Sequence, residues 1–158
     1  MFLGQFRHNL DPKNRLTIPA RYRDLLAEGA YVTRGFDGNL IVYTAATFHV
    51  ITQQANQTSV TDPAARQLKR LLFSNADFIE VDRAGRILIP DFLRESAGLE
   101  NEVVISGMGD HFEIWSPERW MQETEALNDP QANAERFASL KISTGNEQSA
   151  TTLRISAS

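Results

Sequence analysis

Two arginines of this chain stand in the same local setting. Asp11-Pro12-Lys13-Asn14-Arg15 returns, 71 positions later, as Asp82-Arg83-Ala84-Gly85-Arg86. Each motif holds an aspartate, two variable residues, a residue that takes positive φ cheaply, and then the arginine. A guanidinium leaving such a turn can grip a phosphate or a guanine edge bidentately. Lys13 and Arg83 lie in the turns themselves and would add charge beside it. The competing reading is that each arginine pairs with its own aspartate and only pins the turn, and spacing alone divides the two evenly. Surroundings tilt them differently. Arg7, Arg21 and Arg23 add positive charge around the first copy, whereas Glu80, Asp82, Asp91 and Glu95 surround the second.

Other chemistries find little support. His8, His49 and His111 are far apart and have no metal-ligand spacing. The chain contains no G-x-S-x-G elbow and no G-x-x-x-x-G-K-[ST] loop. Gly107-Met108-Gly109 lacks the third glycine and following helix of a dinucleotide site. With no cysteine, disulfide scaffolds and thiolate metal sites are excluded. The expectation is a protein that is not an enzyme, with no catalytic residue, metal, cofactor or small-molecule substrate.

The elements that must position the arginines also recur. Gln5 to Leu10 alternates, with Phe6, His8 and Leu10 on one face, and Arg15 to Ile18 alternates with Leu16 and Ile18 on one face. Asp11-Pro12 suits a type I turn, and Asn14 supplies the left-handed residue of a bulge, so the two strands are predicted to form a tight hairpin. Gly85 fills that slot in the second copy. Both copies run into Ile-Pro, at Pro19 and Pro90, where a helix is expected to open with proline in its first turn. Tyr22, Leu25 and Leu26 would share one helical face, as would Phe92, Leu93 and Ala97. Strands are then expected around 31–34 and 40–43, and around 103–106 and 112–115. Phe36-Asp37-Gly38-Asn39 and Gly107-Met108-Gly109-Asp110 would be their turns. Each half closes with a helix, one led in by Thr44 or Thr47, the other by Ser116-Pro117.

A repeated unit of this kind is small for a core of its own, so the halves are expected to share one. Residues 1–56 form the first half-unit and 77–128 the second. Residues 57–76 form a connecting helix with no twin, capped by Asp62-Pro63 and with Ala64, Leu68, Leu71 and Leu72 on one face. Arg66, Lys69 and Arg70 lie elsewhere on it, as a solvated face. Residues 129–158 read as a polar, mobile tail, with a brief helix over 134–140.

Composition is that of an ordinary globular protein, 42% hydrophobic and 23% charged over 158 residues. No apolar run is long enough for a membrane span, and the N-terminal stretch lacks a signal-peptide pattern, which makes a cytosolic location the simplest expectation. Net charge is −4, yet five of the first 23 residues are basic against one acid, Asp11. A basic face on an acidic protein still attracts a polyanion.

The doubled D-x-x-[GN]-R motif, each copy followed by a strand ending in Ile-Pro and a helix carrying Arg23 or Arg94, resembles the MraZ family. Phe112-Glu113-Ile114-Trp115 with Trp120 is similar to that family too, and the likeness covers about residues 1–125. It implies an α+β fold of AbrB/SpoVT type: a duplicated swapped-hairpin small β-barrel with flanking helices. It implies a homo-oligomeric ring that binds double-stranded promoter DNA, a nucleoid-associated regulator of the bacterial division and cell-wall gene cluster. The implied DNA contacts are Arg15 and Arg86, with Lys13, Arg83, Asn14 and Arg7 beside them. Asn14 departs from the glycine of the family's first motif and adds a side chain close to where a phosphate would sit. The alternative is a protein-interaction module of the same fold, an antitoxin-like partner.

Overall fold

The computed structural model describes residues 1–145; residues 146–158 of the expected tail lie outside them. It contains eight strands among the described residues: β1 (Gln5–Asn9), β2 (Arg15–Thr17), β3 (Ala30–Arg34), β4 (Leu40–Thr44), β5 (Asp77–Ile79), β6 (Arg86–Leu88), β7 (Glu102–Gly107) and β8 (His111–Trp115). Helices α1 (Ala20–Arg23), α2 (Ala45–Asn56), α3 (Pro63–Leu72), α4 (Asp91–Ser96), α5 (Pro117–Thr124) and α6 (Pro130–Phe137) lie between and after them. The chain divides into two compact units, Met1–Met121 and the segment from Gln122 onward.

Within the first unit, every strand of the first half pairs with one of the second. β1 pairs with β7, β2 with β6, β3 with β5 and β4 with β8, all antiparallel. The six-stranded sheet runs β1-β7-β8-β4-β3-β5, and β2 with β6 forms a separate two-stranded ribbon. Exchanging each strand for its repeat partner reverses this order and leaves it unchanged, so the duplication is built in as an internal twofold. The predicted β1–β2 hairpin is therefore corrected. Its turn forms, closed by Asp11 N–H to Arg15 O and a bridge between Leu10 and Leu16. Beyond the turn the strands part, β1 to β7 and β2 to β6, because both have an apolar face to bury and the other half carries the matching ones.

Local signals hold at three caps and only in part for the prolines and the helical faces. Asp62 accepts the Ala64 N–H at the start of α3, Thr44 accepts the Thr47 N–H at the start of α2, and the Ser116 hydroxyl accepts the Arg119 N–H. Pro19 and Pro90 sit one position earlier than expected, at the caps of α1 and α4 rather than inside them. Tyr22 and Leu93 are fully buried at equivalent positions, but Leu25 points outward, since α1 tightens into a 3-10 turn at Asp24–Leu26, and Phe92 on α4 is exposed as well. On α3 the buried side chains are Ala65 and Leu72, while Leu68 is exposed.

One core cluster draws on both halves: Leu16, Ile18, Tyr22, Val32, Leu40 and Val42 pack with Ile87, Ile89, Leu93, Val103, Ile105, Phe112 and Ile114. Phe2 joins it, edge-on to Tyr22 at 5.0 Å. The N-terminal segment crosses Gly107 so closely that a Cβ there would lie 2.5 Å from the Phe2 carbonyl oxygen. The sheet's other face is covered by a second cluster, Ile41, Tyr43 and Phe48 with Ile51 and Phe73. On that face Glu113 is buried, accepting from Asn39 Nδ2 at 2.7 Å and Trp115 Nε1 at 3.1 Å, a polar tie between the halves.

In the second unit, Asp129 caps α6 by accepting the N–H groups of Gln131 and Ala132. That helix occupies Pro130–Phe137, earlier than the stretch expected over 134–140.

Candidate nucleic-acid interface

The two motif turns have the same internal bonding. Asp11 Oδ1 accepts the backbone N–H groups of Lys13 at 2.9 Å and Arg15 at 2.8 Å. Its other oxygen accepts Arg15 Nε at 2.7 Å. In the second turn Asp82 Oδ1 accepts Ala84 N–H and Arg86 N–H, both at 2.9 Å, and Oδ2 accepts Arg86 Nε at 3.0 Å. Asn14 and Gly85 take φ of 62° and 78°. The aspartate is thus the part that holds each turn, chiefly through two backbone amides. The arginine contributes one N–H of its fork, and its terminal nitrogens meet no partner among the described residues.

Backbone N–H donation, first that of Arg15 and of Arg86 respectively, holds the Asp11 and Asp82 carboxyls below the ordinary carboxylate value. The unfolded chain then binds more protons than the folded one in mild acid, so these two groups stabilise the fold above their unfolded value near pH 4. That contribution fades as pH falls through the lower folded values. Thermal melts are expected to hold steady from neutrality to about pH 4 on this account and to decline below it. The double variant Asp11→Asn, Asp82→Asn should lose that part of the acid decline; an unchanged decline would show that other carboxylates cause it.

Each turn is buttressed by the opposite half. Ile18 N–H donates to Gly85 O at 2.9 Å and Ile89 N–H to Asn14 O at 2.8 Å. These bonds align β2 with β6, placing Arg15 opposite Leu88, Leu16 opposite Ile87 and Thr17 opposite Arg86. Leu16 and Ile87 face inward and are buried. Arg15, Thr17, Arg86 and Leu88 therefore share the outer face of one antiparallel ribbon. The arginines stand on its diagonal, about 7–8 Å apart at the backbone.

The remaining residues singled out from sequence are distributed unevenly. Lys13 and Arg83 project from the turn tips into solvent. Arg7 is on β1, where its Nη1 reaches Glu102 Oε1 at 2.8 Å, with both side chains about half exposed. Asn14 turns inward: its amide donates to Asp91 and accepts from Arg94 Nη1 at 2.6 Å. The charge environment also departs from what neighbourhood in sequence suggested. Because the halves interlock, Asp91, Glu95 and Glu100 line a cavity of about 490 Å³ beside Pro12 and Asn14 of the first turn. Arg23 of the first half lies against Gly85 of the second. Sequence reasoning placed Arg23 and Arg94 in the motif but gave them no contact. Their 71-residue separation was the available signal, since each lies against the positive-φ residue of the opposite half's turn, Arg23 at Gly85 and Arg94 at Asn14.

Among the described residues there is no cluster of three or more histidine or acidic side chains able to hold a metal, and no helix is long and apolar enough to cross a membrane. What the outer face can do is donate, from two forked cations and a hydroxyl beside the apolar Leu88, on a two-stranded ribbon of the kind a major groove admits.

Comparison with known proteins agrees with the duplication. The family described as "MraZ protein, putative antitoxin-like" matches residues 1–71 and again residues 72–140. The chain is 46% identical over 138 residues to the transcriptional regulator MraZ of Roseiflexus castenholzii, covering 87% of this chain and 94% of that protein. It is 47% identical over 128 residues to the protein of the same name from Dictyoglomus thermophilum, covering 81% and 88%. Against that of Clostridium acetobutylicum identity is 36% over 142 residues, covering 90% of this chain and the whole of the relative. Two family matches that together take in both interlocked halves, and relatives aligned along nearly their full length, make this chain a member of the MraZ family.

Proposed function

We propose that this chain is a sequence-specific DNA-binding transcriptional regulator of the bacterial division and cell-wall gene cluster, acting as a homo-oligomeric ring on repeated DNA boxes. The observation that carries the reading is the β2–β6 ribbon, with Arg15 and Arg86 on one outer face and Lys13 and Arg83 at its turns. Naming of the relatives as transcriptional regulators supports it. In this reading the half-units 1–56 and 77–128, joined through 57–76, form a swapped-hairpin barrel of AbrB/SpoVT type. The cross-half pairing of all four strand pairs supports that form. The protein works in the cytoplasm, associated with the nucleoid.

Phosphate contacts would set register while side chains on the ribbon read base edges. One subunit offers few cations, so several subunits on adjacent boxes are needed for tight binding; linked sites raise avidity ~10²–10⁴-fold. A gel-shift titration on duplex DNA from upstream of the chain's own gene tests this, with the oligomer's mass measured on the same sample. Affinity is expected to fall ~10³-fold or more between ~50 and 200 mM salt, as for six or more phosphates engaged. A shallow salt response, or a monomer that binds as tightly as any oligomer, would refute the reading.

The second reading, an interaction module that captures another protein, draws on the antitoxin-like description of the family. A stable complex recovered at high salt, with no duplex binding, would favour it.

A further inference from the structure

The two turns match in backbone but not in what surrounds them. At the first, each nitrogen of the Arg94 guanidinium has a protein acceptor. Its Nε donates to Leu99 O at 3.1 Å, Nη2 to Glu100 O at 2.8 Å, and Nη1 to the Asn14 side chain at 2.6 Å and more distantly to Asp11 O. Asp91 holds the other end of the Asn14 amide. Side chains from both halves thus close a latch over this turn, and no Arg94 nitrogen is left over for a ligand.

Arg23 occupies the equivalent position at the second turn, and its bonding is much lighter. Nε donates to Ile18 O at 3.1 Å. Its terminal nitrogens have no partner, and no carboxylate lies within ion-pairing distance of it, among the described residues. Ala20 stands where Asp91 stands in the other half, so the aspartate of the latch has no counterpart. Asp24 and Glu28, in place of Glu95 and Glu100, are exposed and do not reach it. Gly85 replaces Asn14, and the space its side chain would fill is taken by the guanidinium: a Cβ on Gly85 would lie 2.3 Å from Arg23 Cζ. The charge is felt nearby, since burial first and Arg23 second hold His8 below its ordinary value.

Accepting that the ribbon meets DNA, we propose that the second turn is a composite phosphodiester site built by both halves, with Arg23 from the first joining Arg86 and Arg83 from the second. The first turn, whose equivalent arginine is consumed by its latch, has no such site. Each subunit then docks its turns unequally. The second turn takes the stronger backbone grip, although the sequence around it is the more acidic. Glycine at position 85 is needed for this, because any side chain there would displace the Arg23 guanidinium.

The test uses the full chain and two duplexes of about 60 base pairs, one from upstream of its own gene and one scrambled, titrated across a salt series. Arg23→Gln keeps an N–H for Ile18 O but removes the charge. Gly85→Asn keeps a residue suited to positive φ but pushes Arg23 aside. Both are expected to weaken binding to both duplexes by about tenfold or more, to flatten the salt slope by about one for each subunit engaged, and to leave the melting midpoint near the parent's. Equal loss on the two duplexes marks a phosphate contact rather than a base reader. If both variants bind as the parent does while Arg15→Ala does not, the composite site is wrong and the DNA reading stands. If the parent binds neither duplex, both fall.

Discussion

Replacing Arg15 and Arg86 together with alanine is expected to remove duplex binding, with a loss of ~10²–10⁴-fold if each guanidinium reads or clamps through a bidentate pair. Folding should survive the change. Each turn is held by its aspartate, which accepts two backbone amides whichever side chain stands at the arginine position. The ion pairs removed are partly solvent-exposed, a class that contributes little to stability. Leu16 and Ile87, the inward partners on the same strands, keep their burial. The matching lysine pair separates charge from shape. Lysine keeps the charge but loses the planar fork, so Arg15→Lys with Arg86→Lys should retain much of the non-specific binding and lose preference between the upstream and scrambled duplexes. Circular dichroism and gel shifts on the same samples decide it. Alanine variants that unfold would mean that the guanidinium's role is to pin the turn. Alanine variants that bind normally would place the DNA contact elsewhere on the molecule.

What could be read in the sequence was whatever is settled within about ten residues. The doubled motif, the positive φ at Asn14 and Gly85, the turns at 36–39 and 107–110, and the caps at Thr44, Asp62 and Ser116 all depend on local backbone chemistry. Alternation also showed which side of the motif strands β2 and β6 is buried, as at Leu16/Ile18 and Ile87/Ile89. It could not show which strand lies alongside. A period of two fixes a face, while a partner is chosen by matching faces across the whole chain, and here β1 finds β7 some 95 residues on. That gap misled the charge argument. Neighbours in sequence made the first turn look basic and the second acidic. The interlock sends Arg23 to Gly85 and brings Asp91 and Arg94 to Asn14. Arg7, grouped with the binding cations from its neighbourhood, reaches Glu102 of β7, a partner that its sequence neighbourhood did not show.

Tyr22→Ala should be the most damaging single substitution in the first unit, and its effect should be seen in the half that does not contain it. The side chain is fully buried, its ring lying 5.0 Å from Phe2, 5.5 Å from Phe6 and 5.2 Å from Phe112. Its hydroxyl donates to Leu3 O at 2.8 Å. Truncating a buried aromatic costs about 3–5 kcal/mol, a large part of the ~5–15 kcal/mol that holds a typical protein folded. The melting temperature of a chain this size should then fall by ~6–20 °C. Tyr22→Phe keeps the ring packing and loses one hydrogen bond, so it should cost about 1 kcal/mol. Both tryptophans, Trp115 and Trp120, belong to the second half. If the halves share one core through Tyr22 and Phe112, tryptophan emission and far-ultraviolet dichroism must report the same lowered midpoint in a denaturant titration. A tryptophan transition left at the parental midpoint would mean that the second half folds by itself. In that case the cross-half pairing, and with it the ribbon that carries Arg15 and Arg86, would lose its physical basis.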